Sequence, residues 1–308
     1  MSASPNEAKF ALAIHCGAGN ITPETVPPDQ EQESCSVMER VLEVGHSLLR
    51  SGGHSLDVVE AVVRQLEDYT MFNAGKGACF THDGRNELDA SIMDGRTLRA
   101  GAVAGVTTIR NPISAARAVM ERSPYVLLIG RGAEEFAGEH GLDIVDPSYF
   151  FTKRQYEKLE KMRREELTHS EEKLGTVGAV ALDSYGNLAA ATSTGGMMNK
   201  RYGRVGDSPV IGAGTYANNA TCAVSATGIG EDFLCNVVSY DIAALIEYKG
   251  LSLSDATQEV MRKLSERKGE GGVIAIDKNG HIAMPFISAG MYRGYIKADG
   301  QPDVQIFR

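Results

Sequence analysis

Apolar and polar positions follow two rhythms along the chain, and each rhythm predicts an element. The run "KFALAIHCGAG" is apolar until a glycine cluster closes it, as expected of a buried strand that delivers a loop to a site. Val37, Val41, Val44 and Leu48 then recur at helical spacing and stop at Gly52 and Gly53, a C-terminal glycine signal. "SLDVVEAVVRQLED" predicts a second helix with Ser55 as its N-cap. The stretch "YTMFNAGKGACFTHDGRNELDASIMDG" reads as a loop that leads into short strands. "GAVAGVTTI" reads as a buried strand, and "NPISAARAVMER" as a helix with proline in its first turn.

The rhythm lapses over residues 148–174, where charged residues dominate from Lys153 to Lys173. That stretch predicts a linker, part solvated helix and part mobile chain, and the best internal boundary. Two stretches beyond it share one grammar of strand, turn and returning strand: "TVGAVALDSYGNLAAATS" and "GGVIAIDKNGHIAMPF". Between them, "GEDFLCNVVSYDIAALIEYKG" and "SLSDATQEVMRKLSERKG" are helical by periodicity and end in glycine. Hairpins with helices before and after predict sheets covered by helices, a layered α/β architecture without regular βαβ winding.

Length and charge narrow the picture. At 308 residues with 34 glycines, the chain can bury a sizeable core. A net charge of -9 argues against a nucleic-acid partner, which calls for a basic field. The N-terminal stretch lacks the charged-then-apolar pattern of a secretory signal, and no segment approaches the roughly 18 apolar residues of a membrane span, so a cytoplasmic protein without a membrane partner is expected. Cys16, Cys35, Cys79, Cys222 and Cys235 are widely spaced and suggest free, mostly buried thiols.

Several chemistries fail on spacing. There is no "GxxxxGK[ST]", no "HExxH", no "CxxC" and no "GxSxG". What remains is a dense set of Thr, Gly, Arg and Asp after the charged stretch. Thr176 opens an apolar run immediately after Gly175. Taken alone, a threonine in that place is an ordinary β-former. As a chain terminus it would be a nucleophile with its own base, because an α-amine has a pKa near 8 and is partly neutral at pH 7. That state requires cleavage of the Gly175-Thr176 bond, and a glycine tolerates the backbone strain that self-cleavage needs.

The motifs "IHCGAG", "FNAGKGA", "ELDASIMDG", "GTVGAVALD", "TSTGG", "GRVGDSP", "GAGTYANN", "GGVIAID" and "GMYRGY" occur in one order over nearly the whole chain. In this the chain resembles the plant-type asparaginases, or isoaspartyl peptidases, of the N-terminal nucleophile hydrolase superfamily. The resemblance implies a single four-layer αββα sandwich that cuts itself into an α chain, residues 1–175, and a β chain, residues 176–308. It implies hydrolysis of L-asparagine and β-aspartyl dipeptides through a β-aspartyl enzyme, and a dimer of αβ units. By motif, Thr176 would be the nucleophile and Thr194 its hydrogen-bonding neighbour. Arg204 would hold the substrate α-carboxylate and Asp207 the α-ammonium, while Thr227 and Gly228 would form an oxyanion hole.

No cofactor is implied for the chemistry. The resemblance does imply a structural sodium ion on the main-chain carbonyls of Leu66, Glu67, Tyr69, Phe72, Ala74 and Lys76, a donor set that hard cations accept. One departure stands out: Cys16 occupies a place where many relatives have glycine, which bears on the rate of self-cleavage more than on the fold. Two alternatives stay open. A glycosylasparaginase of the same superfamily would place aspartate before its threonine, where this chain has Gly175. A non-processing amino-acid sensor would use Arg204 and Asp207 but release no ammonia from asparagine.

Overall fold

A computed structural model describes residues 9–165 and 175–308. The first strand, β1 (Ala11–Gly19), is followed by helices α1 (Pro28–Arg50) and α2 (Ser55–Asp68), strands β2 (Leu88–Asp94) and β3 (Ala100–Val106), helix α3 (Pro112–Arg122), a short strand β4 (Leu127–Ile129), and helices α4 (Gly130–Glu139) and α5 (Lys153–Arg164). The second half contributes β5 (Val177–Leu182), β6 (Leu188–Thr194), β7 (Thr215–Ala217) and β8 (Cys222–Gly228). Helices α6 (Gly230–Asn236), α7 (Val238–Lys249) and α8 (Leu253–Glu266) follow, then β9 (Gly271–Asp277), β10 (Ile282–Ala283), β11 (Gly290–Lys297) and β12 (Asp303–Gln305).

The strands form an eight-stranded sheet, β12-β11-β1-β5-β6-β2-β3-β4, and a four-stranded sheet, β10-β9-β8-β7. Side-chain parity shows how they stack. Along β5, Val177, Ala179 and Ala181 join the core beneath the helices of the first half, whereas Val180 and Leu182 join a second core between the sheets. Along β9, Ile274 and Ile276 face that middle core, while Val273 and Ala275 pack with α7 and α8. The result is the four-layer αββα sandwich of the N-terminal nucleophile hydrolase type. Among the described residues no helix is long and apolar enough to cross a membrane.

Both expected hairpins form, and each is held by its own aspartate. Asp183 accepts from the backbone N–H groups of Tyr185 and Asn187 at 3.0 and 2.9 Å, and Asp277 from those of Asn279 and His281 at 2.8 and 2.9 Å. The other oxygen of Asp183 accepts from the Ser55 N–H at 3.0 Å, so the start of α2 is capped from across the fold. Ser55 is the first helical residue and not the cap.

Three further expectations change in detail. The buried stripe of α1 runs through Val37, Met38, Val41, Leu42 and Leu49, leaving Leu48 exposed and Val44 half-buried. The turn of the helix is set by Gly45, where a Cβ would stand 2.3 Å from Leu12 and 2.9 Å from Val62, so that side must lie against β1 and α2. The segment 230–250 is two helices, broken at Val237, whose φ of 48° costs a β-branched residue about 1–2 kcal/mol. The restart is compensated because the Tyr240 N–H reaches the Gly212 carbonyl at 2.8 Å, and the Ser239 hydroxyl the Ala213 carbonyl at 2.7 Å. Finally, the charged stretch begins as a packed helix: α5 buries Gln155, Leu159 and Met162, the last two against Cys79, Phe80 and Met198. The rest of the expected linker, 166–174, lies outside the described residues.

Candidate active site

Antiparallel pairing of β5 with β6 sets Val177 opposite Ser193, so the residue before β5 and the last residue of β6 meet at one end of the large sheet. There the Thr176 hydroxyl donates to the Thr194 hydroxyl at 3.1 Å, and Thr194 in turn accepts from the Gly196 N–H at 2.9 Å. The small sheet brings its own end to the same place. Thr227 lies on the side of β8 that faces the large sheet, and its fully buried hydroxyl has no hydrogen-bond partner. A Cβ on Gly175 would stand 2.7 Å from that hydroxyl and 2.7 Å from the Gly17 α-carbon. Only glycine fits before Thr176.

A single pocket is lined by Thr176, Thr194, Arg204, Asp207 and Gly228, with Asn73, Cys79, Gln155, Met197 and Met198 around them. Burial is the largest influence on Asp207 and pushes its carboxyl up to about 7 against the pull of Arg204; its Oδ2 is buried without a partner. The Arg204 guanidinium is engaged bidentately by Glu231, at 2.9 and 2.8 Å.

Two residues that build this place stand outside the sequence-based expectations. Asn73 donates to the Gly196 carbonyl at 2.7 Å and accepts from the Cys79 N–H at 2.8 Å, tying the glycine loop after α2 to the turn after β6. Gln155, from the charged stretch, lines the pocket and donates to the Gly77 carbonyl at 2.8 Å. A lone Asn in a loop, or a Gln in a charged helix, carries no local signal for such work.

The loop expected to hold sodium packs several of its carbonyls closely against Gly75 and Gly77. The oxygens of Phe72 and Tyr69 lie 2.0 and 2.9 Å from where a Gly77 Cβ would stand, and that of Glu67 lies 2.3 Å from the Gly75 position. The Leu66 and Ala74 carbonyls accept from the Tyr69 and Gly77 N–H groups, at 3.3 and 3.0 Å, and Lys76 sits in the tight turn between Gly75 and Gly77. Among the described residues no group of His, Cys, Asp and Glu side chains is arranged to hold a metal. Cys16 does not face Gly175. Its thiol is buried in the core under the helices, and Gly17, at φ 114°, makes the close approach to the bond ahead of Thr176.

The asparaginase family model matches residues 8–306. The chain belongs to the asparaginase family. It is 52% identical to the isoaspartyl peptidase of Salmonella typhimurium, over 97% of this chain and 99% of that protein. It is also 52% identical to the isoaspartyl peptidase of Escherichia coli, with 97% of each chain covered, and 42% identical to the human isoaspartyl peptidase/L-asparaginase, with 89% of each covered. A family member with this likeness is an enzyme of the isoaspartyl peptidase/L-asparaginase class, one that acts on a small-molecule substrate.

Proposed function

We propose that the chain cuts itself between Gly175 and Thr176 and that the freed Thr176 hydrolyses L-asparagine and β-aspartyl dipeptides. The observation that carries this reading is the Thr176–Thr194 hydroxyl contact of 3.1 Å beside two buried, unpartnered groups of the right kind, the Thr227 hydroxyl and the Asp207 carboxyl.

In this mechanism the Thr176 amine removes the proton of its own hydroxyl, and Oγ1 attacks the side-chain carbonyl of the substrate. Thr194 orients the hydroxyl. The Thr227 hydroxyl and the Gly228 N–H receive the charge that develops on the carbonyl oxygen, an arrangement worth most where water is excluded. The amine then protonates the leaving group, either ammonia or the second amino acid, and the β-aspartyl ester on Thr176 is hydrolysed by water activated by the same amine. Arg204 and Asp207 hold the α-carboxylate and α-ammonium. Binding of that ammonium supplies the cation that Asp207 lacks and returns its carboxyl to the ionised form.

Gly175 also separates this reading from a glycosylasparaginase: with 2.7 Å to Thr227 and Gly17, the position has no room for an aspartate side chain. The sodium ion that the family resemblance implies, on the carbonyls of Leu66, Glu67, Tyr69, Phe72, Ala74 and Lys76, would brace the loop carrying Asn73, without a part in the chemistry. Replacing sodium by a large organic cation should then lower the thermal midpoint, since a bound ion stabilises by mass action, and an unchanged midpoint would remove the ion from the proposal. Assembly as a dimer of αβ units is part of the same reading. Intact mass and N-terminal sequencing, with aspartate release from asparagine and a β-aspartyl dipeptide, test the whole: fragments 1–175 and 176–308 with turnover are expected. An unbroken chain that still turns over would overturn the nucleophile, and a cut chain without turnover would overturn the substrates.

A further inference from the structure

The ladder that holds Thr176 in place stops short of it. Pairing of β1 with β5 ends at His15 opposite Gly178, and β1 departs from regular register between His15 and Ala18. Pairing of β5 with β6 starts at Val177. The Thr176 carbonyl is therefore beyond the last strand pair, in a buried place where an unpaired backbone oxygen is costly. A side chain supplies the missing bond: His15 Nδ1 lies 3.1 Å from that oxygen.

The carbonyl can only accept, so Nδ1 carries the proton. In a neutral ring Nε2 must then accept, and its partner is the Ser225 hydroxyl at 2.9 Å. Further hydroxyls lie behind it. Ser225 is contacted by the Thr192 hydroxyl at 2.7 Å, Thr192 by that of Thr215, and Thr215 by that of Ser91 at 2.8 Å. All five side chains are fully buried between the sheets; because Ser91 and Thr192 also donate to the Ser208 and Gly214 carbonyls, at 2.6 and 3.1 Å, the ring sets the direction of the Ser225–His15 bond alone. The neutral ring fits its surroundings, since burial pushes the His15 pKa down to about 3. Space for the contact is reserved by Gly178, where a Cβ would stand 2.4 Å from His15 Nε2 and 2.0 Å from the Ser225 hydroxyl.

We propose that His15 is the positioning residue of the nucleophile, holding the Thr176 carbonyl by Nδ1–H while Ser225 fixes the ring. The role rests on the reading of Thr176 given above, and it matters most after cleavage. A terminal residue has lost its tether on the Gly175 side and lies outside the strand pairs; the carbonyl bond to His15 and the hydroxyl bond to Thr194 together fix the amine relative to Oγ1. Neither His15 nor Ser225 is needed to hold the substrate head group, so the role predicts an effect on kcat and not on KM.

Three substitutions separate positioning from mere packing. His15→Asn keeps a donor where Nδ1 stood, His15→Gln keeps only the more distant one, and His15→Leu keeps neither. With kcat measured per cut chain on a β-aspartyl dipeptide, His15→Asn is expected to stay within about tenfold of wild type, while His15→Gln and His15→Leu fall on the order of 100-fold at unchanged KM, the scale of a misplacement of about 1 Å. Equal kcat for His15→Asn and His15→Leu, whether both high or both low, overturns the proposal. If His15→Leu does not fold, Ser225→Ala decides: it leaves the ring in place but unlocked, and kcat should fall about tenfold at unchanged KM, whereas wild-type kcat overturns the role. An inactive wild type would sink the proposed function as well; an active wild type with a flat series sinks this inference alone.

Discussion

Replacing Thr227 by valine should move activity and stability in opposite directions. The hydroxyl is completely buried and has no partner in the free protein. Valine keeps the shape and removes the group, so the protein sheds the desolvation cost of an orphaned polar atom, about 1–3 kcal/mol. In a chain of this length that is a rise in thermal midpoint of a few degrees, about 2–4 °C per kcal/mol at most. In the transition state the same hydroxyl is to receive the carbonyl oxygen, and loss of one such donor costs about 10²–10³ in kcat. The assay is aspartate release from a β-aspartyl dipeptide, normalised to the fraction of chains that mass spectrometry finds cut, alongside calorimetry of the same sample. A lower midpoint would mean that the hydroxyl has a partner and is structural. Unchanged kcat in cut protein would remove Thr227 from the oxyanion hole, and a raised KM with normal kcat would reassign it to substrate binding.

Other substitutions test the rest of the site. Thr194→Val should slow turnover by about 10²-fold through loss of the partner of the Thr176 hydroxyl, and should destabilise by about 1–3 kcal/mol because the Gly196 N–H loses its acceptor; normal kcat would refute the contact. Because the Asp207 carboxyl sits near 7 in the empty pocket, it is increasingly ionised as pH rises through 7, so KM should fall over that range. Asp207→Asn should raise KM and flatten the profile; a wild-type KM flat from pH 6 to 8 would refute the assignment. The same raised pKa means that the folded protein holds an extra proton between the ordinary carboxylate range and 7, so its contribution to stability is present at low pH and lost as pH approaches 7. Cys16→Gly should leave self-cleavage at its wild-type rate while costing about 1–3 kcal/mol through the cavity left in the helix-side core, and faster cleavage would show that the thiol restrains the loop after all.

What could be read from sequence had short-range causes. The two hairpins were legible because a single aspartate in each turn satisfies the backbone within four residues, and an Asp-x-x-Gly pattern announces that. Thr176, Thr194, Arg204, Asp207, Thr227 and Gly228 could be singled out by residue type and motif, and the pocket gathers Thr176, Thr194, Arg204, Asp207 and Gly228 in its wall, with the Thr227 hydroxyl just behind Gly175.

The alternation of strands and helices, the break in character before Thr176 and the chemical repertoire at the site are all written locally, because periodicity, turn chemistry and motif order are properties of neighbouring residues. Tertiary structure alone decided which groups meet. Leu49 and not Leu48 is buried because Gly45 lets α1 press against β1 and α2. Asp183 rather than Ser55 caps α2, across 128 residues. His15 reaches Thr176 across 161 residues, and Arg204 faces Glu231 across 27. A hydrogen bond depends on position within a few tenths of an ångström, and two sheets packed face to face set that position between residues that no local pattern relates.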